Sequence, residues 1–366
     1  MTVDTVGGVW TYALDLCRGL VAAGCRVTLA SFGERATGRQ RAEVAELAGV
    51  RLVETPYKLE WMPNPWADVD AAGKALQEIV RTDRPELIHL NGYAHAALSW
   101  PVPVVVVAHS CVFTWWRAVH GGLPPQGEYA EYRRRVRAGL EAANAVVAPT
   151  RAMLAGLQQA YGWAGEGCVI PNGIVAGASG AQGPKGSVIA SAGRWWDPAK
   201  GFDRLERIAP RLSWPLVVAG AGGYAEEATR GRVRNLQPLG KLSRQDTRSL
   251  FAGASLFAAP VRYEPFGLSI LEAAEAGCAL VLSDLPSLRE SWDEAAEFVD
   301  QEDAEAWVAA LNALAGDERR RARSAARARQ RACRFSHARM AEHYLELYRS
   351  LLRQFPSSSN RVGAAV

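Results

Sequence analysis

The chain has 366 residues, 49% hydrophobic and 22% charged, with a formal net charge of +4. That length suits two domains of about 150–200 residues each, and the composition excludes a disordered chain, a collagen-like repeat and a disulfide scaffold. The longest apolar stretch, 100–108, is strand-sized and holds two prolines, well short of the roughly 20 residues of a spanning helix.

The elements follow in chain order. Met1-Thr2-Val3 forms an oddly short first strand before Gly7-Gly8 opens a helix, so either the strand is curtailed or the true start lies upstream. Helical periodicity runs over 9–23, 68–81 and 128–143, and β-branched runs occupy 26–31, 50–54, 86–90, 102–108 and 145–149. Ile170-Pro171-Asn172-Gly173 and the glycine- and alanine-rich stretch 176–186 read as a linker. Strands recur at 188–192, 216–219, 256–259, 279–283 and 297–299. The alternation predicts α/β architecture, with two doubly wound parallel sheets in tandem. Met340, Tyr344, Leu347, Tyr348 and Leu351 stripe a final helix over 335–352. The expected divisions are 1–172, 173–334, the helix 335–354 and a disordered tail 355–366.

The six cysteines show no C-x-x-C pair or zinc spacing and read as reduced core thiols of a cytoplasmic protein. The first residues show no basic segment ahead of an apolar stretch, so secretion by a signal peptide is not expected. The mild net charge slightly favours anionic small molecules or lipid head groups.

The strongest chemical signal is Arg262-Tyr263-Glu264-Pro265-Phe266-Gly267-Leu268-Ser269-Ile270-Leu271-Glu272. A strand ends near Pro260, a loop carries Glu264, and a helix starts at about Gly267. The N–H groups of Gly267, Leu268 and Ser269 are then left for an anion, as at any helix start. Two carboxylates flanking a phosphate site suit the hydroxyls on either side of a diphosphate. Arg194 and Lys200 lie in the loop after strand 188–192, where ligands of open α/β sheets bind, and both side chains suit a diphosphate. Lys200 is one of only five lysines beside 37 arginines. His109 ends the buried run Val104-Val105-Val106-Val107-Ala108, which suits either a packed side chain or a site residue. Asn91 ends another strand, one residue after His89, which reads as core. Trp115 and Trp116, ahead of Gly121-Gly122-Leu123-Pro124-Pro125, fit either a mobile loop with sugar-stacking faces or a hydrophobic anchor between helices.

Glu-(seven residues)-Glu enclosing Pro-Phe-Gly-Leu resembles the donor-site motif of retaining GT-B glycosyltransferases, in particular glycosyltransferase family 4. The likeness extends over nearly the whole chain. Val6-Gly7-Gly8-Val9 is similar to that family's glycine-rich turn, His109-Ser110 to its active-site histidine, Ile170–Gly173 to its interdomain hinge, and Gly193-Arg194 with Lys200-Gly201 to its phosphate motif. The resemblance implies two Rossmann-like domains facing across a cleft, with the final helix crossing back onto the first. It implies transfer of a hexose from a nucleoside diphosphate sugar, UDP- or GDP-linked, to a hydroxyl on a glycan, lipid or small molecule. Transfer would retain the anomeric configuration by a same-face mechanism, without a metal or other cofactor. Arg194, Lys200 and the Leu268 and Ser269 amides would hold the diphosphate, Glu272 the ribose, and Glu264 and His109 the reacting sugar. Asn91, Trp115 and Trp116 would lie on the acceptor side. Loops 220–224 and 239–241 would choose base and sugar.

Other readings are weaker. Gly7-Gly8 is not the dinucleotide fingerprint G-x-G-x-x-G, which disfavours a nicotinamide dehydrogenase. Asp68-Val69-Asp70 has the D-x-D letters of a metal site but opens a helix, where capping and the helix dipole account for aspartates. Arg133, Arg134, Arg135 and Arg137, and the eight arginines of 319–334, the latter without any aromatic, read as solvated helix faces rather than nucleic-acid sites. The first group would touch anionic lipid if the acceptor is membrane-bound, placing the protein peripherally on the inner face of the membrane. An epimerase or hydrolase acting on the nucleotide sugar, or a catalytically silent nucleotide-sugar binding subunit, would be compatible with the same fold.

Overall fold

The computed structural model describes residues 1–125, 127, 129–175, 177, 184–222 and 233–355. Most of the linker 176–186 and all but the first residue of the tail 355–366 lie outside them.

The chain divides into two compact units. The first holds Met1–Thr114, Leu123–Gly173 and the final helix His337–Gln354. Among the described residues, its strands are β1 (Thr2–Asp4), β2 (Val27–Phe32), β3 (Val50–Glu54), β4 (Ile88–Leu90), β5 (Val104–Val107), β6 (Ala145–Ala148) and β7 (Gly167–Val169). All pairings are parallel, in the orders β1-β2-β3 and β4-β5-β6-β7. The expected continuous sheet is therefore split between β1 and β4, which lie side by side without a ladder. A side chain makes the join instead. The Asn91 backbone N–H donates to Thr2 Oγ1 at 2.9 Å, and its Nδ2 donates to the Thr2 carbonyl at 2.7 Å. The short β7 carries no apolar run and escaped the sequence pattern. The four valines of β5 are all buried, as their run predicts. The final helix packs on the helix Gly8–Ala22, burying Met340, Ala341, Tyr344 and Leu351.

The second unit holds Trp115–Gly122 and Ile174–Ser336. Its strands are β8 (Gly186–Ala192), β9 (Leu216–Ala219), β10 (Leu236–Pro238), β11 (Ala254–Ala259), β12 (Ala279–Ser283) and β13 (Glu297–Val299). They form a parallel sheet in the order β10-β9-β8-β11-β12-β13. Apolar clusters cover both faces, one around Phe251, Phe257 and Trp292, the other around Leu205, Leu256 and Trp307. The sheet grows outward in one direction from β8 and in the other from β11. The topological switch point therefore falls between those strands, and ligands of such sheets bind beyond their carboxyl ends. Two loops leave from there, 193–201 after β8 and 260–267 after β11.

Candidate functional site

In the second unit the loops after β8 and β11 are tied together by backbone hydrogen bonds. Arg262 N donates to the Ala199 carbonyl at 2.7 Å. Gly201, with φ of 70°, passes so close to the Pro260 carbonyl that a Cβ would overlap its oxygen. This lacing brings Lys200 to Glu264, with Nζ 2.7 Å from Oε2 and side chains only 17% and 15% exposed. Ser287 Oγ holds the other end of the turn by donating to the Glu264 carbonyl at 2.5 Å.

The helix Leu268–Glu275 begins immediately after Gly267, whose φ of 88° places it in the left-handed region. A Cβ there would meet Ile270 Cδ1 at 2.6 Å. Glycine leaves this helix start without a side-chain cap, and Ser269 of its first turn lines a recess together with Lys200 and Glu264. Glu272, one helical turn beyond Leu268, has its Oε1 3.8 Å from Arg244 Nε and a side chain 13% exposed. It is not a solvated helix residue.

Arg194 follows Gly193, whose N–H pairs with the end of β9 at the Ala219 carbonyl. Its Nη2 lies 3.3 Å from Asp197 Oδ2, and its guanidinium stacks over the Trp196 ring at 5.5 Å. Asp197 is buried and caps the short turn Pro198–Lys200 through the Ala199 N–H. Sequence reasoning missed Asp197, although Asp-Pro ahead of a turn is a capping signal. It also missed Ser287 and Arg244, which no local pattern marks.

Trp115 and Trp116 lie on the helix Val112–His120 rather than in a loop. Nothing in that stretch breaks a helix before Gly121. The two indoles and the His120 ring pack together, with centroids 4.4–6.3 Å apart. Trp115 Nε1 donates to Asp197 Oδ1 at 2.9 Å, so its polar atom serves the loop that carries Arg194.

In the first unit, Gly7 is the N-cap of the helix Gly8–Ala22, and no side chain caps that end. His109 stands past β5, half-buried, with its ring edge-on to Tyr12 at 4.4 Å. Its Nε2 lies 2.9 Å from Asn91 Oδ1. Burial pulls its pKa down to about 3, so the ring is neutral. His89 is buried as expected, likewise lowered to about 3 chiefly by burial.

The remaining charged motifs have structural partners. Asp68 lies in the first turn of the helix Trp66–Asp83, but Pro65 is the N-cap, so no aspartate caps it. Asp70 is bound to Arg135, which lowers its pKa. Arg134 and Arg135 pair with Glu131 and Arg137 with Glu141, so most of that basic cluster is locally neutralised. In the helix Glu318–Ala332, Arg320 pairs with Glu297 and Arg321 stacks over Trp214. The cysteines are all free, but Cys333 is exposed rather than core. Of the loop 220–224, residues 223 and 224 lie outside the described residues. No helix among the described residues is long and apolar enough to cross a membrane.

A profile described as Glycosyltransferase Family 4 matches residues 6–176, and one described as Glycosyl transferases group 1 matches 186–317. This chain belongs to the family 4 type of glycosyltransferases. It is 27% identical to the D-inositol 3-phosphate glycosyltransferase of Xylanimonas cellulosilytica, over 96% of this chain and 93% of that one. It is 29% identical to the phosphatidyl-myo-inositol mannosyltransferase of Mycolicibacterium smegmatis, a match that spans about half of each chain, 50% and 51%. Its fold is that of GT-B enzymes. Anabaena HepE, solved in complex with UDP and glucose, superposes with a TM-score of 0.75 at 18% identity, over 96% of this chain and all of that one.

Proposed function

We propose that this glycosyltransferase moves a hexose from a nucleoside diphosphate sugar to an acceptor hydroxyl, with retention of anomeric configuration. The observation that carries the reading is the Lys200–Glu264 pair beside the uncapped helix start at Gly267, at the switch point of the second sheet. That site offers a cation and free amides to a diphosphate, and a carboxylate to sugar hydroxyls. The UDP and glucose in HepE, and the mannosyltransferase name of one relative, support a nucleotide-hexose donor.

In this reading Arg194, Lys200 and the Leu268 and Ser269 amides hold the diphosphate, where negative charge grows as the glycosidic bond breaks. Glu272 takes the ribose hydroxyls and Glu264 those of the sugar. The acceptor oxygen attacks the face that the diphosphate leaves, and a phosphate oxygen of the leaving group receives the acceptor proton. The protein's own cations supply the charge, so the reaction needs no metal. The acceptor is a hydroxyl on a glycan, lipid or small molecule. Peripheral contact with a membrane belongs to the reading only where that acceptor is lipid-linked.

The test is a thermal-shift panel of UDP, GDP, ADP and their glucose and mannose derivatives in chelator, followed by product analysis. A ligand at a hundred times its Kd adds about 2.7 kcal/mol. A base-selective shift that disappears in Arg194→Ala, with sugar transferred and its configuration kept, is the expected result. No shift with any nucleotide, or release of free sugar or its epimer alone, would refute the transfer reading.

A further inference from the structure

The way the Asn91 side chain is spent fixes the state of the His109 ring. Asn91 Nδ2 donates to the Thr2 carbonyl at 2.7 Å. A carbonyl only accepts, so the amide atom facing it is the nitrogen, and the oxygen is turned the other way. That Oδ1 lies 2.9 Å from His109 Nε2 and 3.2 Å from His89 Nε2. An amide oxygen has no hydrogen to give, so both Nε2 atoms carry one.

The two rings then differ. His89 Nδ1 lies 2.6 Å from the Tyr348 hydroxyl. Burial pushes that phenol well above its usual pKa, so it keeps its proton and donates. His89 has both ring nitrogens occupied. His109 has one: its Nδ1 makes no hydrogen bond among the described residues.

We infer that Asn91 is a positioning residue that locks His109 as the neutral Nε2–H tautomer, leaving Nδ1 as the acceptor for a ligand hydroxyl. Asn91 therefore acts through His109 and not on the acceptor substrate. The chain Thr2–Asn91–His109 fixes the polarity of the position. A hydroxyl donates to Nδ1, whereas a carboxylate or carbonyl oxygen would meet its lone pair. That the hydroxyl belongs to a sugar rests on the transfer reading above; the tautomer does not.

The experiment is nitrogen NMR of the full-length chain labelled in histidine, with the His109 signals identified by their loss in His109→Gln. In the wild type, Nε2 should show the protonated signature and Nδ1 the unprotonated one. Asn91→Leu should lose that fixed pattern and lower turnover of the active nucleotide sugar by about tenfold to a hundredfold, the effect of losing one buried hydrogen-bond partner. A hydrogen on Nδ1 in the wild type overturns the inference, as does an unchanged His109 spectrum in a folded Asn91→Leu chain. Should Asn91→Leu fail to fold, the wild-type spectrum decides alone. A chain with the expected signature that binds no UDP- or GDP-sugar refutes the transfer reading and leaves the tautomer lock standing.

Discussion

The two units prepare their candidate residues in opposite ways. Around His109 the partners are neutral: Thr2, Asn91, His89 and Tyr348 form a partly buried net without a formal charge. In the second unit each candidate cation or ribose-side acid stands beside an opposite charge, as Lys200 does with Glu264, Arg194 with Asp197, and Arg244 with Glu272. A neutral net fixes orientation at little desolvation cost. Ion pairs instead keep half-buried charges compensated until a more highly charged anion competes for the cation. One unit is built for direction and the other for charge.

The sharpest way to break that contrast is Glu264→Ala. It removes a proposed sugar ligand and leaves Lys200 Nζ without its carboxylate at 2.7 Å. Turnover should fall by about a hundredfold to a thousandfold, in the range seen when one transition-state contact is lost, while UDP or GDP still binds. Steady-state kinetics beside nucleotide titration check this, and unchanged turnover removes Glu264 from the site.

Gly201→Ala attacks the scaffold rather than the charge. A β-carbon at φ of 70° would press on the Pro260 carbonyl. The two loops then part or the backbone shifts, at a cost of about 1–3 kcal/mol from backbone strain alone. A urea midpoint equal to that of wild type would show that the lacing of Lys200 to Glu264 is dispensable.

Lys200→Ala sharpens the contrast through salt. Removing a charge-assisted contact of about 1.5–3 kcal/mol should weaken nucleotide diphosphate binding roughly tenfold to a hundredfold. It should also flatten the decline of affinity with ionic strength, because a screened charge has gone. Asn91→Leu should leave that salt dependence as it is. If the two variants respond to salt alike, the division into a neutral and a charged half fails.

Much of this was legible in the sequence, and the gaps have physical causes. Strands 50–54, 216–219, 279–283 and 297–299 match the observed bounds, and 216–219 and 279–283 do so as apolar runs ended by the turn residues Gly220 and Asp284. β7 and β10 are three-residue edge strands whose pairing is decided by neighbours distant in the chain. Glu264 and Lys200 could be named because each sits in a local motif. That they form a pair was not legible, since it depends on Arg262 and Gly201 crossing another loop. The split of the first sheet was equally hidden, because Asn91 replaces a ladder and a side-chain bridge leaves no periodic signal.

The smallest expected effect tests the neutral half through pH. His89 is buried and its pKa is lowered from 6.5 to about 3, chiefly by desolvation. As the pH falls below about 6.5 the unfolded chain gains a proton on this ring, and the folded chain gains it only near 3. The unfolded state thus binds more protons across that window, so His89 lowers stability there by about 1.4 kcal/mol per pH unit. His89→Gln keeps an amide near the Nε2 position but has no titrating ring. It should be less stable than wild type at pH 7, through weakened bonds to Tyr348 and Asn91. The gap should then narrow as urea denaturation is repeated at pH 6 and pH 5. Carboxylates and His109 titrate in both chains and cancel in the difference. A gap that stays constant from pH 7 to pH 5 would mean that His89 takes up its proton in the folded chain over the same pH range as in the unfolded one. The neutral net on which the His109 tautomer depends would then be misassigned.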